Sequence, residues 1–321
     1  MKLLKATNRN ISLAAKLLKT NGLVAFPTET VYGLGANGLS AIAVAKIFEA
    51  KERPIFNPLI LHVSSIEMLN SVADVNNSKI EKLITKFWPG PLTLVLPKKN
   101  IVPELVTAGL ETVAVRMPNN KTALDLIEKL GKPIAAPSAN LFGQLSPTKA
   151  IHVKQQLGNR IDLILDGGDC SVGVESTIVN ILAEENLLLR PGGIAKEEIE
   201  LEIGELIENN KSSTPNSPGQ LKIHYAPTVP TYFFDEEKIK AQSNKKNGGL
   251  FFQDSKFDDY FSYVKILSTS GNLNEAASNL FSSLHYLENK NLDMIFVEPI
   301  ELKGLGIAIM DRLTKAVNKY L

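Results

Sequence analysis

One segment, Phe26 to Gly35, constrains the fold of this chain more than any other. A short apolar strand, Gly22 to Phe26, leads into hydroxyl residues, a tyrosine and two glycines, and the helix that follows ends close to Lys51 and Arg53. Open α/β sheets bind ligands beyond the ends of their strands. Hydroxyl groups beside a Lys/Arg pair suit an anionic, hydroxylated substrate better than a hydride donor or a metal ion. The segment therefore predicts a substrate site in an α/β fold.

The pattern along the chain predicts two domains joined by a linker, because 321 residues exceed what one hydrophobic core usually organises. Helical and strand patterns alternate over residues 1–205, which predicts a twisted mixed open sheet with helices. Polar turn-forming residues dominate residues 209–219, which is typical of a linker, and we assign residues 206–230 to this connection. Strands and helices alternate again over residues 231–321, which predicts a smaller C-terminal parallel α/β (Rossmann-like) domain.

Hydrophobic periodicity and turn residues place the main elements. Helices are predicted over residues 11–19, 41–50, 78–88, 273–288 and 305–317. In the first domain, strands are predicted over residues 23–26, 59–63, 92–96, 112–117, 133–136, 163–166, 176–181 and 187–190. In the second domain, strands are predicted over residues 232–234, 249–252, 263–267 and 294–297.

Composition excludes several functional classes. A net charge of +1 gives no overall field that would draw the chain to nucleic acid or to a membrane. The single cysteine, Cys170, excludes a disulfide scaffold and a thiolate zinc cluster, and we interpret it as an inert small residue. No apolar stretch has the length of a membrane span or a signal peptide, so the cytoplasm is the expected location.

Several ligand-binding motifs are missing from the sequence. A P-loop and a G-x-S-x-G elbow are absent, and Gly33-Leu34-Gly35 lacks the third glycine of a dinucleotide fingerprint. The four histidines have no metal-ligand spacing. These absences argue against a P-loop hydrolase, an α/β-hydrolase, an NAD enzyme and a histidine-bound metal.

Cations, hydroxyls and small residues recur near the predicted strand ends. Arg116 and Arg190 close strands, and a guanidinium matches a carboxylate or phosphate with two parallel hydrogen bonds. Small residues around Ala136 allow a ligand to approach the backbone, and the segment from Ser146 to Thr148 resembles a helix N-terminus able to hold phosphate. Each feature alone also fits a cap, a turn or a rim residue. Together they predict one ligand cleft, whose other polar residues are Ser138, Asn140 and Ser176.

Motifs across nearly the whole chain resemble those of the YrdC-domain family, the threonylcarbamoyl-AMP synthases. In the first domain these are Phe26-Pro27-Thr28-Glu29-Thr30-Val31-Tyr32-Gly33-Leu34-Gly35, Lys51-Glu52-Arg53-Pro54, Ser138-Ala139-Asn140 and Arg190-Pro191-Gly192. The longer, two-domain form of the family is indicated by Ser217-Pro218-Gly219, His224-Tyr225-Ala226-Pro227 and the stretch from Gly304 to Leu313. The resemblance therefore implies a YrdC-like catalytic domain followed by a lid and a small α/β domain.

The resemblance also implies an activity. Members of this family condense L-threonine, bicarbonate and ATP into threonylcarbamoyl-AMP and release pyrophosphate, for N6-threonylcarbamoyladenosine modification of tRNA. The expected Mg²⁺ is carried by ATP, with no ligands from protein side chains. The expected partners are a downstream threonylcarbamoyl transferase complex and a weak tRNA contact, with no membrane. Displacement at phosphorus depends mainly on positioning and charge stabilisation, which Arg, Lys and Ser side chains supply.

Residue roles follow from the same resemblance. Lys51 and Arg53 are assigned to catalysis, and Tyr225 is expected to lie over the nucleotide as part of a lid. L-threonine is assigned to Thr30, His62, Arg116, Ala136 and Ser176. ATP is assigned to Lys51, Arg53, Asn57, Thr112, Ser138, Asn140, Ser146, Arg190 and Tyr225.

Two alternatives stay open at this point. The cationic cleft of an RNA-binding module would carry similar residues, although the near-neutral charge and the few aromatic residues disfavour it. An enzyme that uses another carbamoyl donor is the second alternative, but related carbamoyl-transfer proteins are longer and carry cysteine-rich metal modules.

Overall fold

Two β-sheets organise the chain. The computed structural model describes residues 1–182, 185–208, 218–219, 221–255 and 257–321. An 11-stranded sheet belongs to the N-terminal part of the chain and a 4-stranded sheet to the C-terminal part. Most of the polar run predicted as a linker, residues 209–217, lies outside the described residues. Within the described ranges, no helix combines the length and the apolar character that crossing a bilayer requires.

The large sheet is mixed, as predicted. Its strands are β1 (Lys2–Lys5), β2 (Val24–Phe26), β3 (Gly33–Asn37), β4 (Ile60–His62), β5 (Leu92–Pro97), β6 (Thr112–Arg116), β7 (Ile134–Ala135), β8 (Leu163–Asp166), β9 (Thr177–Asn180), β10 (Asn186–Arg190) and β11 (Leu206–Glu208). The spatial order is β1-β8-β2-β3-β7-β4-β6-β5-β9-β10-β11. Because β11 pairs with β10, the sheet extends three residues beyond the predicted limit at residue 205, while the domain limits as a whole stay predictions.

Helices cover both faces of the large sheet. They are α1 (Asn8–Lys19), α2 (Ala41–Lys51), α3 (Ile66–Val72), α4 (Ser78–Phe87), α5 (Glu104–Thr107), α6 (Lys121–Leu130), α7 (Ala150–Leu157) and α8 (Lys196–Ile203), and a 3-10 turn follows at Gly158–Arg160. Ser40 caps α2 as predicted, because its side chain accepts a hydrogen bond from the Ala43 N–H. The helix ends at Lys51, after which Glu52 adopts a left-handed conformation.

The C-terminal part is the predicted parallel α/β unit. Its strands are β12 (Thr231–Phe233), β13 (Asn247–Phe251), β14 (Tyr263–Ile266) and β15 (Met294–Val297), and its helices are α9 (Glu236–Ala241), α10 (Leu273–Glu288) and α11 (Leu305–Val317), with a 3-10 turn at Asp258–Tyr260. All recorded pairings are parallel, in the order β12-β15-β13-β14. The alternation of strands and helices in the sequence therefore predicted this unit correctly.

The sequence analysis missed β3 because its residues, Gly33-Leu34-Gly35-Ala36-Asn37, have poor strand propensity. The strand forms because β2 and β7 pair with it on both sides. A Cβ at Gly35 would lie 2.8 Å from Phe26 Cε1 and 2.9 Å from Ile134 Cγ2, so only glycine fits between these side chains. Tertiary packing therefore overrides local preference here.

Strand register divides the large sheet into two faces. Leu61 pairs with Val115, and both belong to the largest core cluster together with residues of α2, α4 and α8. The adjacent pair, His62 and Arg116, faces the opposite side, because side chains alternate along a strand. Phe26 lies on this second side, where α1 and α6 cover it and its ring meets His62 edge-on at 6.2 Å. The rest of this second face is available for a cleft.

The two domains share a hydrophobic cluster. Val31, Leu145 and Val174 of the first domain pack with Tyr225 and with residues of α10 and α11. Gly173 lies directly against the second domain, since a Cβ there would lie 2.4 Å from Ser278 Cα and 2.5 Å from the Ala277 carbonyl oxygen. The absence of a side chain at Gly173 lets α10 approach the first domain.

We predict that Gly173→Ala destabilises the protein more than Gly168→Ala. Both glycines have positive φ values, +78° and +92°, but a Cβ at Gly168 would meet nothing within 4 Å. The difference in free energy of unfolding between the two variants isolates the clash with α10, which we expect to cost about 1–3 kcal/mol. Denaturant unfolding of the two variants measures it. Equal losses would mean that the domains do not depend on this contact.

Candidate active site

The cleft lies over one face of the large sheet, beside the ends of several of its strands. Pairs of residues two positions apart line it, namely Thr28 and Thr30, Ile60 and His62, and Ala136 and Ser138. For Ile60 and His62, which lie on strand β4, this spacing reflects the alternation of side chains along extended backbone. His62 and Arg116 are cross-strand neighbours and reach the same face. The sheet itself therefore forms the floor of the cleft.

Three arginines that are distant in the sequence line this one cleft: Arg53, Arg116 and Arg190. Arg53 follows α2, Arg116 ends β6 and Arg190 ends β10. All three are buried. Of the other residues predicted for the site, Thr30, His62, Ala136, Ser138, Ser176 and Tyr225 also line the cleft.

Two of these arginines and Lys51 have only neutral hydrogen-bond partners. Arg53 donates to the carbonyl oxygens of Asn57 and Pro58. Arg190 donates to both oxygens of Ser176 and to the Pro218 carbonyl, and the Lys51 ammonium donates to the carbonyls of Ser138 and Asn140. In the part of the chain that the structure describes, no carboxylate forms an ion pair with any of the three cations.

Burial of these cations without a counter-ion is unfavourable. It lowers the pKa of Lys51, Arg53 and Arg190, and repulsion from Arg53 lowers that of Lys51 further. Burial, together with the positive charge of Arg53 and Lys51, also lowers the pKa of His224 well below its usual value. A bound anion would reverse these shifts, so the cleft has the electrostatics of an anion-binding site.

Arg116 differs from the other two arginines because it already has an acidic partner. One of its terminal nitrogens lies 2.6 Å from Glu29 Oε1, and the other donates to the Thr30 hydroxyl at 2.9 Å. Its Nε donates to the Gly90 carbonyl. Burial and the Arg116 charge lower the pKa of the neighbouring His62 to about 3, so this imidazole is neutral near pH 7. The guanidinium is therefore held in one orientation beside a neutral imidazole.

Glu175 connects the cleft to the second domain. It lines the cleft, accepts a hydrogen bond from the Ser146 hydroxyl and accepts another from Arg312 Nε at 2.9 Å. Arg312 lies on α11, is 1% exposed and also donates to the Pro191 carbonyl. Burial alone would raise the pKa of Glu175, but Arg312 and Arg190 hold it below the usual value. The carboxylate is therefore ionised and fixed.

The segment after the predicted linker closes the cleft. Pro218, Gly219, His224 and Tyr225 line it together with the sheet residues. Lys315 of α11 donates to the Gly219 carbonyl at 2.6 Å, which fastens this segment to the second domain. The enclosed volume is about 50 Å³, which suffices for a few water molecules but not for a nucleotide. The described residues of this segment therefore limit the space left for a large ligand.

Five predicted site residues do not line the cleft: Lys51, Asn57, Thr112, Asn140 and Ser146. Lys51 lies behind the segment Ser138–Asn140, whose carbonyls it bonds. Thr112 begins β6, at the opposite end from Arg116. Ser146 is wrongly placed at a helix N-terminus by the sequence analysis, because α7 begins at Ala150 with Lys149 as its N-cap.

Asn57 and Asn140, which do not line the cleft either, have buried side-chain amides. Asn57 is 1% exposed, and neither of its side-chain amide atoms has a hydrogen-bond partner in the structure. The Asn140 amide nitrogen donates to the carbonyls of Leu141 and Gln144, which fixes the loop that carries Ser138. Buried amide atoms without partners are rare, so those of Asn57 stand out among the described residues.

Sequence reasoning missed Thr28, Glu29, Glu175, His224 and Arg312. Thr28 and Glu29 stand inside the first motif, and the available signal was that they directly precede the predicted Thr30. Glu175 directly precedes the predicted Ser176, and His224 precedes Tyr225. Arg312 falls within the motif near the C-terminus, but its contact with Glu175 spans 137 positions and leaves no local signal.

The wall of the cleft offers few groups that could bind a metal ion. Among the described residues that line it, Glu175 is the one carboxylate, and it is ion-paired with Arg312. Across the described residues, no cluster of three or more His, Cys, Asp or Glu side chains is placed to hold a metal ion. A resident metal centre does not fit this donor set, whereas a metal ion bound to a substrate's phosphates needs few protein ligands.

Comparison with known proteins identifies the class to which this fold and cleft belong. A family described as "Telomere recombination" (Sua5_yciO_yrdC) matches residues 16–192, and the family "Threonylcarbamoyl-AMP synthase, C-terminal domain" matches residues 194–317. The molecule is therefore a two-domain protein of the Sua5/YrdC class. More particularly, the chain belongs to the threonylcarbamoyl-AMP synthase family, as the resemblance in its motifs indicates.

Similar proteins match over almost their full length. The threonylcarbamoyl-AMP synthase of Pyrococcus abyssi (strain GE5 / Orsay) is 44% identical over 322 residues, covering 95% of this chain and 93% of the relative. That of Bacillus subtilis (strain 168) is 44% identical over 328 residues, covering 98% and 95%. A crystal structure of P. abyssi Sua5 complexed with L-threonine aligns with a TM-score of 0.92 and 41% identity, covering 100% of this chain and 98% of that one.

We predict that Arg312→Met destabilises the protein by about 3–5 kcal/mol at pH 7, because it leaves Glu175 buried without its main counter-ion. The loss should shrink as the pH falls towards the ordinary carboxyl range. The low pKa of Glu175 stabilises the folded wild type at neutral pH, and this stabilisation is lost as the pH falls. In the variant, Glu175 becomes protonated in the same pH range, so a buried charge without a partner no longer destabilises the fold.

Denaturant unfolding of wild type and variant at pH 7 and near pH 4.5 measures both effects. Arg160→Met is the matched control, because Arg160 is exposed and pairs with the exposed Glu52. A loss for Arg312→Met that does not change with pH would contradict the assigned role of the ion pair.

Proposed function

We propose that this protein synthesises threonylcarbamoyl-AMP from L-threonine, bicarbonate and ATP, with release of pyrophosphate, for N6-threonylcarbamoyladenosine modification of tRNA. One observation carries the proposal most directly. Lys51, Arg53 and Arg190 are buried close together with neutral partners only, within the described chain. A triphosphate supplies the negative charge that these cations lack. Family membership supports the same conclusion.

The threonine end of the cleft is proposed around Arg116. Its orientation is fixed by Glu29 and Thr30, which suits recognition of a carboxylate. The neutral His62 and the hydroxyls of Thr30 and Ser176 offer hydrogen bonds to the threonine side chain and amine. Ala136 lets the substrate approach the sheet. The relative crystallised with L-threonine supports a threonine site in this family.

The nucleotide end is proposed around Arg53, Arg190 and Ser138. In this proposal Asn57 and Asn140 lie in the wall beside the phosphates, while Thr112 and Ser146 act from positions behind it. Tyr225 covers the nucleotide as part of the lid. Mg²⁺ enters with ATP as part of the substrate, because the described cleft offers only Glu175 as a carboxylate.

The chemical steps follow from these positions. The threonine amine and bicarbonate form an N-carboxy group with loss of water, and an oxygen of this group attacks the α-phosphorus of ATP. The bond to the β-phosphate oxygen breaks, and pyrophosphate leaves. Arg53 stabilises the charge that develops on the phosphates, and Lys51 holds the Ser138 loop beside them. In this proposal the product passes to a threonylcarbamoyl transferase complex, and any direct tRNA contact is weak.

The proposal is tested by pyrophosphate release from purified protein with ATP, Mg²⁺, bicarbonate and L-threonine. We expect release only when all four are present. Turnover that does not depend on threonine would contradict the assignment. RNA binding with a steep salt dependence and no pyrophosphate release would favour the binding-module alternative instead.

We predict that Arg53→Ala weakens ATP binding by about 1.5–3 kcal/mol and threonine binding much less, because a charge-assisted contact to phosphate is lost. Calorimetric titration with L-threonine and a non-hydrolysable ATP analogue measures the two affinities. Arg160→Ala serves as the control, since this arginine is exposed and lies outside the cleft. Equal losses for both ligands would contradict the proposed division of the cleft.

We also predict that Tyr225→Ala lowers turnover by loosening the lid. Its ring packs against Phe281 and lies 5.2 Å from the Arg312 guanidinium, so Tyr225→Phe keeps these contacts and should retain most of the activity. Steady-state pyrophosphate release compares the two variants. Unchanged kinetics for Tyr225→Ala would mean that this segment is only a tether.

A further inference from the structure

A second groove lies between the domains, apart from the active-site cleft. It runs between α7 of the first domain and the α10–β14 side of the second, and its volume is about 650 Å³. We call it the interdomain groove and define it by Lys149, His152, Lys265, His285, Tyr286 and Lys290. Its size falls in the range of small-molecule sites, about 300–1,000 Å³.

The charge of the interdomain groove is one-sided. Three lysines line it, and none of the described residues that line it is acidic. Lys149 pairs with the exposed Asp169 at 2.6 Å, but Lys265 and Lys290 form no ion pair with a carboxylate in the described chain. Amide and hydroxyl groups of Gln155, Asn279 and Ser282 complete the lining. Such a set of donors suits an anionic ligand.

Both lysines without an ion pair in the described chain contact the same aromatic ring. The ammonium groups of Lys265 and Lys290 lie 4.1 and 4.5 Å from the centre of the Tyr286 ring. Attraction to the ring fixes both groups in place. An anion in the interdomain groove would therefore meet two positive charges on the same wall.

His152 is a second, independent sign of a ligand. This residue lines the interdomain groove, is 7% exposed and has an Nδ1 atom without a hydrogen-bond partner. Its ring stacks on His285 at 3.9 Å. A buried polar atom without a partner is unfavourable and rare. It is explained if a ligand supplies the missing hydrogen bond.

The floor of the interdomain groove leads to the catalytic cleft. His285 Nε2 lies 3.1 Å from the Ser146 carbonyl oxygen, and the Ser146 hydroxyl is bonded to Glu175. On the other side, His285 Nδ1 lies 3.7 Å from Glu288, which accepts from the Thr228 N–H at 2.6 Å. Glu288 thus ties the histidine to the segment after Tyr225. A ligand against His285 would touch the residues that position the cleft wall and its lid.

We propose that the interdomain groove is a second, noncatalytic binding site for a phosphate-bearing ligand of nucleotide size. Lys265 and Lys290 bind the phosphate, His152 supplies a further hydrogen bond, and His285 relays occupancy to Ser146. The proposal does not depend on the reaction assigned to the cleft. The phosphate belongs to a free nucleotide or to pyrophosphate, and the experiment distinguishes these small ligands from the end of an RNA strand.

The experiment places a reporter in the interdomain groove of the full chain. Gln155 is exposed there, and the native Cys170 is buried, so Gln155→Cys is labelled selectively with an environment-sensitive fluorophore. AMP, inorganic pyrophosphate and a uridine oligonucleotide are the probes. We expect saturable binding of AMP or pyrophosphate, weakened about tenfold or more in Lys265→Gln/Lys290→Gln, because two charge-assisted contacts are lost.

Three controls make the outcome decisive. Lys129→Gln/Lys132→Gln removes two exposed lysines outside the interdomain groove and should not change the affinity. Lys265→Arg/Lys290→Arg keeps the charge and should bind. Arg53→Ala alters the catalytic cleft and should leave the signal intact, which separates this site from the proposed reaction.

Several results would overturn the proposal. These are the absence of a saturable response, an equal response in the Lys265→Gln/Lys290→Gln variant, or a response lost only in Arg53→Ala. Binding of the oligonucleotide alone would replace the nucleotide-sized ligand by RNA and refute the assignment.

Discussion

The structure depends on the burial of three cations without carboxylate partners in the described chain, Lys51, Arg53 and Arg190. Such an arrangement costs stability, because each charge has left water for neutral carbonyl oxygens. The chain tolerates it because these oxygens belong to loops that the cations themselves fix. Arg190, for example, joins Ser176 to Pro218. The same groups thus order the cleft wall and leave a positive charge in it that a polyanion can neutralise.

The second domain contributes to this electrostatic balance from outside the sheet. Arg312 of α11 neutralises Glu175, and without it that carboxylate would compete with a ligand for Arg190. One turn further along α11, Lys315 holds the Gly219 carbonyl and with it the closing segment. Helix α11 therefore acts on both the wall and the lid of the cleft. The close approach of α10 at Gly173 is a second contact between the domains beside those of α11.

Local signals predicted much of the fold and the identity of the cleft. Ser40 predicted the start of α2, and alternating strands and helices predicted the parallel C-terminal sheet. The glycine-rich β3 could not be predicted from local signals, because it forms through pairing with β2 and β7 and not through strand propensity. The structure brings Arg53, Arg116 and Arg190 to one cleft, whose position on a sheet face depends on register. Register is a long-range property that no single segment encodes.

The contrast between the two polar sites in this molecule shows what sequence patterns can reveal. The cleft residues stand in short motifs, because loops that fold over a ligand place several contacts close together in the chain. In the interdomain groove, Lys149 and Lys265 come from different domains and stand in ordinary helical and strand contexts. A surface lysine is usually a solvated charge, and only the shared Tyr286 ring and the unpartnered His152 distinguish these residues. A site assembled across a domain interface therefore leaves little pattern in the sequence and is recognised from the three-dimensional structure.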